Sequence, residues 1–510
     1  MATETGIELT INRDETGSWL IITLPAVCAA RALKFERRGD GHCVQAELKP
    51  FPDRCEARLS VAALQIFQEA RWDVRLQFID GKVEPLSLPP LSEEAQRHFY
   101  SGEGEGGGVS AYLTDSLLSL ALYVAPTGRH AQVSQAENNR ARYARYLTEL
   151  PLNKNLVFFE SFLGKAYAGN PRYLYEALRL RRPDLQFVWS YEGSARIPGD
   201  PRIVDRHSDD YYRLLAQARY RVNNVLFPVH GKKTGTRYLQ TWHGTPLKRL
   251  GFDIEIDGPE MQARDNFFRE SRSWDALLSA NAFSSETLSR AFRHQGEVLE
   301  VGYPLSDSLT SSPARRQALI ESFGLPSDKR FVLYAPTWRD DQAIGPWQHR
   351  FDLQLDLERF AREAPQDMVL LIKSHHLVAE RLDRARLPAN VVDLSHCDDI
   401  SELCELADVL VTDYSSVFFD FAATGRPILF FCYDLASYAS NIRGFYLDVP
   451  DQLPGPVAQD NDELIAMLGA LDRIESAYAE RYAAFRQRFC PYCDGRSADR
   501  LIDAFFGDAQ

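Results

Sequence analysis

Two successive series of short, wholly apolar runs, each separated by stretches that suit a helix, constrain this chain more than any other feature. The first begins near Asn155 with LVFFES, QFVWSY, RVNNVLF and YLQTW, between which lie LYEALRLRR and YYRLLAQARY. The second begins near Arg330 with FVLYAPT, MVLLIKS, VVDLS, DVLVTD and PILFFCYD. Strands that are apolar on both faces need cover on both faces, as in a parallel sheet layered with helices. The two series therefore predict two doubly wound α/β lobes, over residues 155–325 and 326–510. Open parallel sheets bind ligands beyond the carboxyl ends of their strands. The residues just after each run are thus the candidates for chemistry, facing a cleft between the lobes.

The first hundred residues read differently. IELTI, SWLIITL, CVQAEL, EARLSVAAL and VRLQFI alternate apolar and polar residues, broken by RRGDGH and FIDGK. That period predicts a small antiparallel β domain over residues 1–100, built as a sandwich. SGEGEGGG, Ser101–Gly108, reads as a flexible loop, since glycine at that density packs no core. Residues 101–154 are then a linker and a connecting helix. A chain of 510 residues exceeds one hydrophobic core, and a formal net charge of −13 argues against a nucleic-acid partner. Eight scattered cysteines fit a reducing compartment. Cys490 and Cys493 of CPYC have no second CxxC and read as half-buried thiols. MATETGIELTINRDE has neither the basic nor the apolar region of a secretion signal. VSAYLTDSLLSLALYVA carries Asp115 and falls short of the ~20 apolar residues of a membrane span. A cytoplasmic protein is expected, with any membrane contact peripheral.

Four run ends are dense in reactive groups. After LVFF come Glu160, Ser161, Gly164 and Lys165. A Gly-Lys step there can cradle an anion, or be an ordinary turn with a solvated lysine. YLQTW leads into His243, Gly244, Thr245 and Pro246. Gly244 permits a close backbone approach and Pro246 suits the first turn of a following helix, with Lys248 and Arg249 adding positive charge. Either His243 packs against Trp242, or it stands at the strand edge as a base, its ordinary pKa of about 6.5 suiting proton transfer near neutrality. MVLLI is followed by Lys373, His375 and His376, of which alternation sends only one histidine to the cleft. No carboxylate or cysteine completes a metal set at the usual spacing, so phosphate contact is the better reading. VLV leads into Thr412, Asp413, Ser415 and Ser416 ahead of a helix, where free amides and the helix dipole favour an anion. Simple capping would need only one of them.

Two histidines, several cations and an anion-binding turn suit transfer of a phosphate-bearing group by positioning and electrostatic stabilisation. Neither a metal nor a cofactor is expected.

Ordered pieces from about Asn155 to Arg500 carry a family resemblance. They are FFESFLGKAYAGNPRYLYEAL, QTWHGTPLKRLG, GYPLSD, LYAPTWRD, LIKSHH, TDYSSVFFDFAATGRPILFF, Tyr438 with RGFYLD, PGP and DGRSADR. In these the chain resembles the CDP-glycerol glycerophosphotransferase family, polyol-phosphate transferases of the teichoic-acid and capsule type. The resemblance implies a GT-B-like pair of Rossmann-like domains, the first on the acceptor side and the second binding the CDP donor. It implies transfer of glycerol phosphate, or a similar polyol phosphate, to a hydroxyl of a growing polymer with release of CMP. By the same resemblance His243 is the general base, and His375 contacts the donor diphosphate and stabilises the leaving group. Thr412, Ser415 and Ser416 match the diphosphate-binding turn, and Arg443 and Asp448 lie near the donor. Lys373 joins the phosphate-binding set, and Glu160, Ser161, Gly164, Lys165, Gly244 and Thr245 fall on the acceptor side. The implied partners are a CDP-linked polyol donor and a lipid-linked or polymeric phosphopolyol acceptor at the cytoplasmic membrane face. NNRARYARYLTELPLNKN is a candidate for lying on anionic lipid, or is a linker helix packed on the first lobe. A GT-B glycosyltransferase using a UDP- or GDP-sugar and a non-catalytic polymer-binding scaffold remain as alternatives, since fold does not choose the donor.

Overall fold

A computed structural model describes residues 7–14, 17–26, 29–38, 42–64, 70–87, 100–104, 107–113, 119–126, 130–254, 259–310, 313–337, 343–345, 348–349, 353–373, 386–435, 444–449 and 451–507. Two compact units divide the chain: Met1–Arg142 with Glu255–Arg269, and Tyr143–Ile254 with Glu270–Gln510.

The first unit holds one ten-stranded antiparallel sheet. Along Gly17–Pro25 every second residue is buried, including Leu20, Ile22 and Leu24, which is the period that the sequence displays. The expected sandwich is instead a single rolled sheet, whose edge strands Glu8–Asp14 and Tyr100–Gly104 approach each other around one core containing Leu33, Phe35 and Trp72. SGEGEGGG is not a linker either. Tyr100–Gly104 and Gly107–Leu113 form a hairpin, paired from Tyr100 opposite Ala111 to Gly104 opposite Gly107. A ladder needs only backbone groups, and the buried Val109 and Ala111 supply what side-chain packing it requires. The β domain therefore runs on to the strand Leu120–Pro126.

The second unit contains the two expected lobes. The first has a parallel seven-stranded sheet in the order Arg202–Val204, Gln186–Ser190, Asn153–Glu160, Ala218–Asn223, Arg237–Gln240, Ala276–Ser279, Glu297–Glu300. The second has a parallel six-stranded sheet in the order Val391–Asp393, Met368–Ile372, Arg330–Ala335, Val409–Thr412, Ile428–Phe431, Val457–Ala458. Each sheet starts near its middle, grows to one side and then reverses. The reversal lies between Asn153–Glu160 and Ala218–Asn223 in the first lobe, and between Arg330–Ala335 and Val409–Thr412 in the second. Crevices for ligands open at such points.

Not all of 326–510 belongs to the second lobe. The helix Ser497–Phe506 returns to the first, because Leu501, Ile502, Phe505 and Phe506 form an apolar stripe that must be buried. Phe506 lies 4.9 Å from the Tyr220 ring, Arg237 donates to the Phe505 carbonyl, and Arg181 pairs with Asp499 and Asp503. Arg172, on the first-lobe helix Gly169–Arg181, reaches Asp399 at 3.3 Å and Glu402 at 2.7 Å in the second lobe. In the helix His130–Glu149, Tyr143 is buried and donates to the Gly231 carbonyl at 2.9 Å, and Tyr146 donates to Asp209 at 2.7 Å. These two aromatic residues are used in packing on the first lobe. Among the described residues no helix is long and apolar enough to cross a membrane.

Phe506→Ala is expected to lower the stability of the two-lobed unit by about 3–5 kcal/mol, the usual cost of emptying a buried aromatic site. A urea midpoint equal to that of the wild type would contradict this placement.

Candidate active site

The first-lobe crevice is built by residues that hold one another. Glu160 is fully buried; its carboxylate accepts from the Tyr211 hydroxyl at 2.8 Å, Arg206 Nε at 3.3 Å and Asn223 Nδ2 at 3.3 Å. Burial raises its pKa, and the Arg206 charge opposes the rise. Ser161 donates to the Ala168 carbonyl at 2.8 Å and accepts from Asn224 Nδ2 at 3.2 Å. Gly164 has φ +80°, and a Cβ there would lie 3.0 Å from Ser190 Oγ. These three residues therefore shape the loop, whereas Lys165 is exposed.

His243 is packed, and its tautomer is fixed. Its ring stacks on the buried Trp242 indole at 4.2 Å and 28°, so it is packed. Trp242 holds a left-handed φ of +51°, and its N–H donates to Gln240 Oε1 at 2.9 Å. Left-handed backbone in a bulky residue costs roughly 1–3 kcal/mol and persists only where the surroundings impose it. Nδ1 lies 2.8 Å from the Asn224 carbonyl oxygen. A carbonyl only accepts, so Nδ1 carries the proton and Nε2 keeps its lone pair. Nε2 has no hydrogen-bond partner among the described residues. The side chain keeps an exposed surface beside the protein atoms packed around it. That crowding lowers its pKa, opposed by the Asn224 carbonyl.

The turn after His243 meets the second lobe. Gly244 has φ +141°; a Cβ there would sit 3.2 Å from Ser416 Oγ and 4.0 Å from Asp420 Oδ2. Its carbonyl accepts from the Tyr303 hydroxyl at 3.3 Å. Thr245 is buried, with its hydroxyl within 3.2 Å of Asn281 Nδ2 and of Ser284 Oγ, and so faces inward. Pro246 does not open a helix. The chain instead runs alongside the RGFYLD piece: Tyr446 N–H donates to the Leu247 carbonyl at 2.8 Å and Arg249 N–H to the Gly444 carbonyl at 3.1 Å, with Lys248 bridging Phe445. Backbone groups that a helix would have satisfied internally are satisfied across the lobes.

In the second lobe the four polar residues divide their work. Thr412 is buried and donates to the Ala335 carbonyl at 2.7 Å. Asp413 accepts from the Thr337 N–H at 2.8 Å, the Thr337 hydroxyl at 2.5 Å and the Tyr414 N–H at 2.7 Å. Both residues thus brace the point where the sheet order reverses. Ser415 accepts from the Val417 N–H at 3.4 Å, at the start of the short helix Val417–Phe421. Ser416 is half-buried, and its hydroxyl has no hydrogen-bond partner among the described residues. Both serines are half-buried, unlike Thr412 and Asp413. The Lys373 ammonium donates to the Ser395 carbonyl at 2.9 Å and the Cys397 carbonyl at 2.7 Å, and burial lowers its pKa. Asp448 is exposed. His375, His376, Arg443 and Tyr438 lie outside the described residues. Cys490 and Cys493 are free, half-buried thiols.

Three residues of the site escape a reading of run ends. Asn224 could have been found from the polar doublet that closes RVNN at a sheet reversal. Phe162 looks like one more core aromatic, yet its ring lies 6.0 Å from that of His243. Asp420 reads as an ordinary helix residue. Burial pushes its carboxyl up to about 8, with the Cys493 thiol and Asp399 adding to the rise.

That shift has a stability consequence. Between about pH 4 and pH 8 folded Asp420 holds a proton that the unfolded chain has released, so stability falls as pH rises through that window. Asp420→Asn should remove this slope, its stability relative to the wild type growing from pH 4 to pH 8 in urea titrations. A pH-independent difference would contradict the assignment.

Residues 142–507 match the family model of CDP-glycerol:poly(glycerophosphate) glycerophosphotransferase. The teichoic acid poly(glycerol phosphate) polymerase of Staphylococcus epidermidis is 37% identical over 363 residues, 69% of this chain and 50% of that protein. The teichoic acid glycerol-phosphate transferase of Staphylococcus aureus is 38% identical over 375 residues, 71% of this chain and 95% of that protein. A structure of the wall teichoic acid polymerase TagF, a histidine-to-asparagine variant soaked with CDPG, superimposes with a TM-score of 0.69 at 34% identity, covering 74% of this chain and 95% of that one. The chain thus spans about half the length of the S. epidermidis polymerase and nearly all of the S. aureus transferase.

Proposed function

The chain belongs to the CDP-glycerol:poly(glycerophosphate) glycerophosphotransferase family, and on that footing we propose that it transfers a polyol phosphate from a CDP-activated donor to a hydroxyl of a growing teichoic-acid-like polymer, releasing CMP. Glycerol phosphate is the group we assign, since both staphylococcal relatives are named for it. One observation carries the reading: Asn224 holds the Nδ1–H of His243, and its Nε2 has no hydrogen-bond partner among the described residues.

In the proposed reaction the acceptor hydroxyl gives its proton to His243 Nε2 as its oxygen bonds to the phosphorus that carries the polyol. The bond from that phosphorus to the bridging oxygen of CMP breaks, and CMP leaves with the electron pair. The Asn224 carbonyl, already aligned with Nδ1–H, supports the imidazolium as it forms. Ser415 and Ser416 are assigned to the donor diphosphate, with His375, Arg443, Asp448 and Lys373 as further donor-side groups carried over from the resemblance. A lipid-linked or polymeric acceptor would bring the enzyme to the cytoplasmic membrane face as a peripheral protein. Co-sedimentation with acceptor-bearing vesicles, and none with bare ones, is the expected behaviour.

His243→Ala is expected to cut CMP release by about 10²–10⁴-fold, the usual worth of a general base, while calorimetric binding of CDP-glycerol survives. Full turnover in that variant would overturn the reading. So would tighter binding of UDP or GDP than of CDP.

The direction of the His243 shift sets the pH profile. A pKa below the ordinary histidine value leaves the imidazole neutral and competent at pH 7. The acid limb of kcat/KM should therefore fall below about pH 6.5, roughly tenfold per unit once the base is mostly protonated. A rate that climbs on acidification from pH 7 would exclude His243 as the base.

A further inference from the structure

Phe162 is out of place for a core aromatic. Phe158 and Phe159, in the strand before it, are fully buried, whereas Phe162 keeps 36% of its surface open. Its φ is +46°, followed by +60° at Leu163 and +80° at Gly164. Only glycine adopts that region freely, so two consecutive bulky residues there must be held by their surroundings. The hold is visible. The Phe162 N–H donates to Asn224 Oδ1 at 2.8 Å, the Gly164 N–H to the Ser161 carbonyl at 3.0 Å, and the Lys165 N–H to the Phe162 carbonyl at 3.2 Å.

This backbone turns the phenyl ring out of the core and sets it beside the base. The rings of Phe162 and His243 are 6.0 Å apart with planes inclined by 54°. One edge of the phenyl rests at the start of the helix Gly169–Arg181, where a Cβ on Gly169 would be 3.5 Å from Phe162 Cε2. Asn224 fixes both rings, its side chain holding the Phe162 N–H and its carbonyl holding His243 Nδ1. The partly open phenyl ring thus borders the imidazole.

We propose that Phe162 is a specificity-determining residue of the acceptor subsite, its open face packing against the carbon backbone of the acceptor's terminal polyol so that the terminal hydroxyl meets His243 Nε2. This rests on the transferase reading above. A polyol offers many similar hydroxyls to hydrogen-bond donors, and an apolar wall selects the pose in which its C–H face turns inward and one end reaches the base. The donor-side serines belong to the other lobe, so Phe162 acts on acceptor and not on donor affinity.

Steady-state kinetics of the full chain test this, with CDP-glycerol as donor and a short soluble glycerol-phosphate oligomer as acceptor. Phe162→Ala should raise the acceptor KM about tenfold or more, a loss of roughly 1.4 kcal/mol per decade. Its calorimetric affinity for CDP-glycerol should stay within twofold of the wild type, and Phe162→Tyr should restore the acceptor KM. An unchanged acceptor KM in Phe162→Ala overturns the proposal. So does a loss confined to donor affinity, or a tyrosine variant as impaired as alanine. If the wild type itself releases no CMP with this pair, the transferase reading fails first, and the proposal with it.

Discussion

The site depends on one asparagine more than on any charged group. Asn224 follows the strand that flanks the first-lobe reversal, and it is fully buried. Its carbonyl fixes the tautomer of His243, its side-chain oxygen holds the Phe162 N–H, and its side-chain nitrogen reaches Ser161. A buried hydrogen bond contributes about 1 kcal/mol net, but leaving its partner unsatisfied costs more. Three such bonds on one residue therefore fix position more than they add stability. The left-handed backbones of Trp242 and Phe162 stand on either side of this hub. Strain of that kind persists where the surrounding contacts over-determine it.

The second lobe repeats the plan with different atoms. Across its own reversal Thr412 binds the Ala335 carbonyl, and Asp413 binds Thr337 through both backbone and hydroxyl. In each sheet a polar residue at the end of one strand is tied to the loop after its neighbour. The two halves meet where Gly244, at φ +141°, lies against Ser416, so a side chain at position 244 would be strained by its backbone and would crowd the serine. The pairing of residues 247–249 with 444–446 and the Arg172 pairs with Asp399 and Glu402 join the lobes on either side of that point.

Much of this was legible in the sequence, because the informative signals were local. Continuous apolar runs marked the buried parallel strands, and residues just after them include His243, Ser415 and Ser416. What local pattern could not supply was the outcome of competition between distant partners. Thr245 and Thr412 carry hydroxyls suited to a ligand, yet buried neighbours claim both. Pro246 suits a helix, but the RGFYLD piece offers backbone partners from some two hundred residues away, a pairing of a kind that local propensity does not encode. The glycine-rich segment looked too poor in side chains for order and found it in a hairpin ladder. Phe162 and Asp420 changed meaning through orientation and burial, which a residue's identity does not report.

The return of the helix Ser497–Phe506 to the first lobe makes that lobe's completion wait on a segment made long after its own sheet. Glu300 closes the first sheet, but Phe505 and Phe506, which cover Tyr220, emerge only after about 200 further residues, on the order of 10–40 s of synthesis at ordinary ribosomal rates. Through that interval an apolar face of the nascent first lobe lacks its cover, open to chaperones and to neighbouring chains on the same polysome. A cleft made from two halves thus matures only after both have been synthesised, and a first lobe cut off before Ser497 would keep a sticky side.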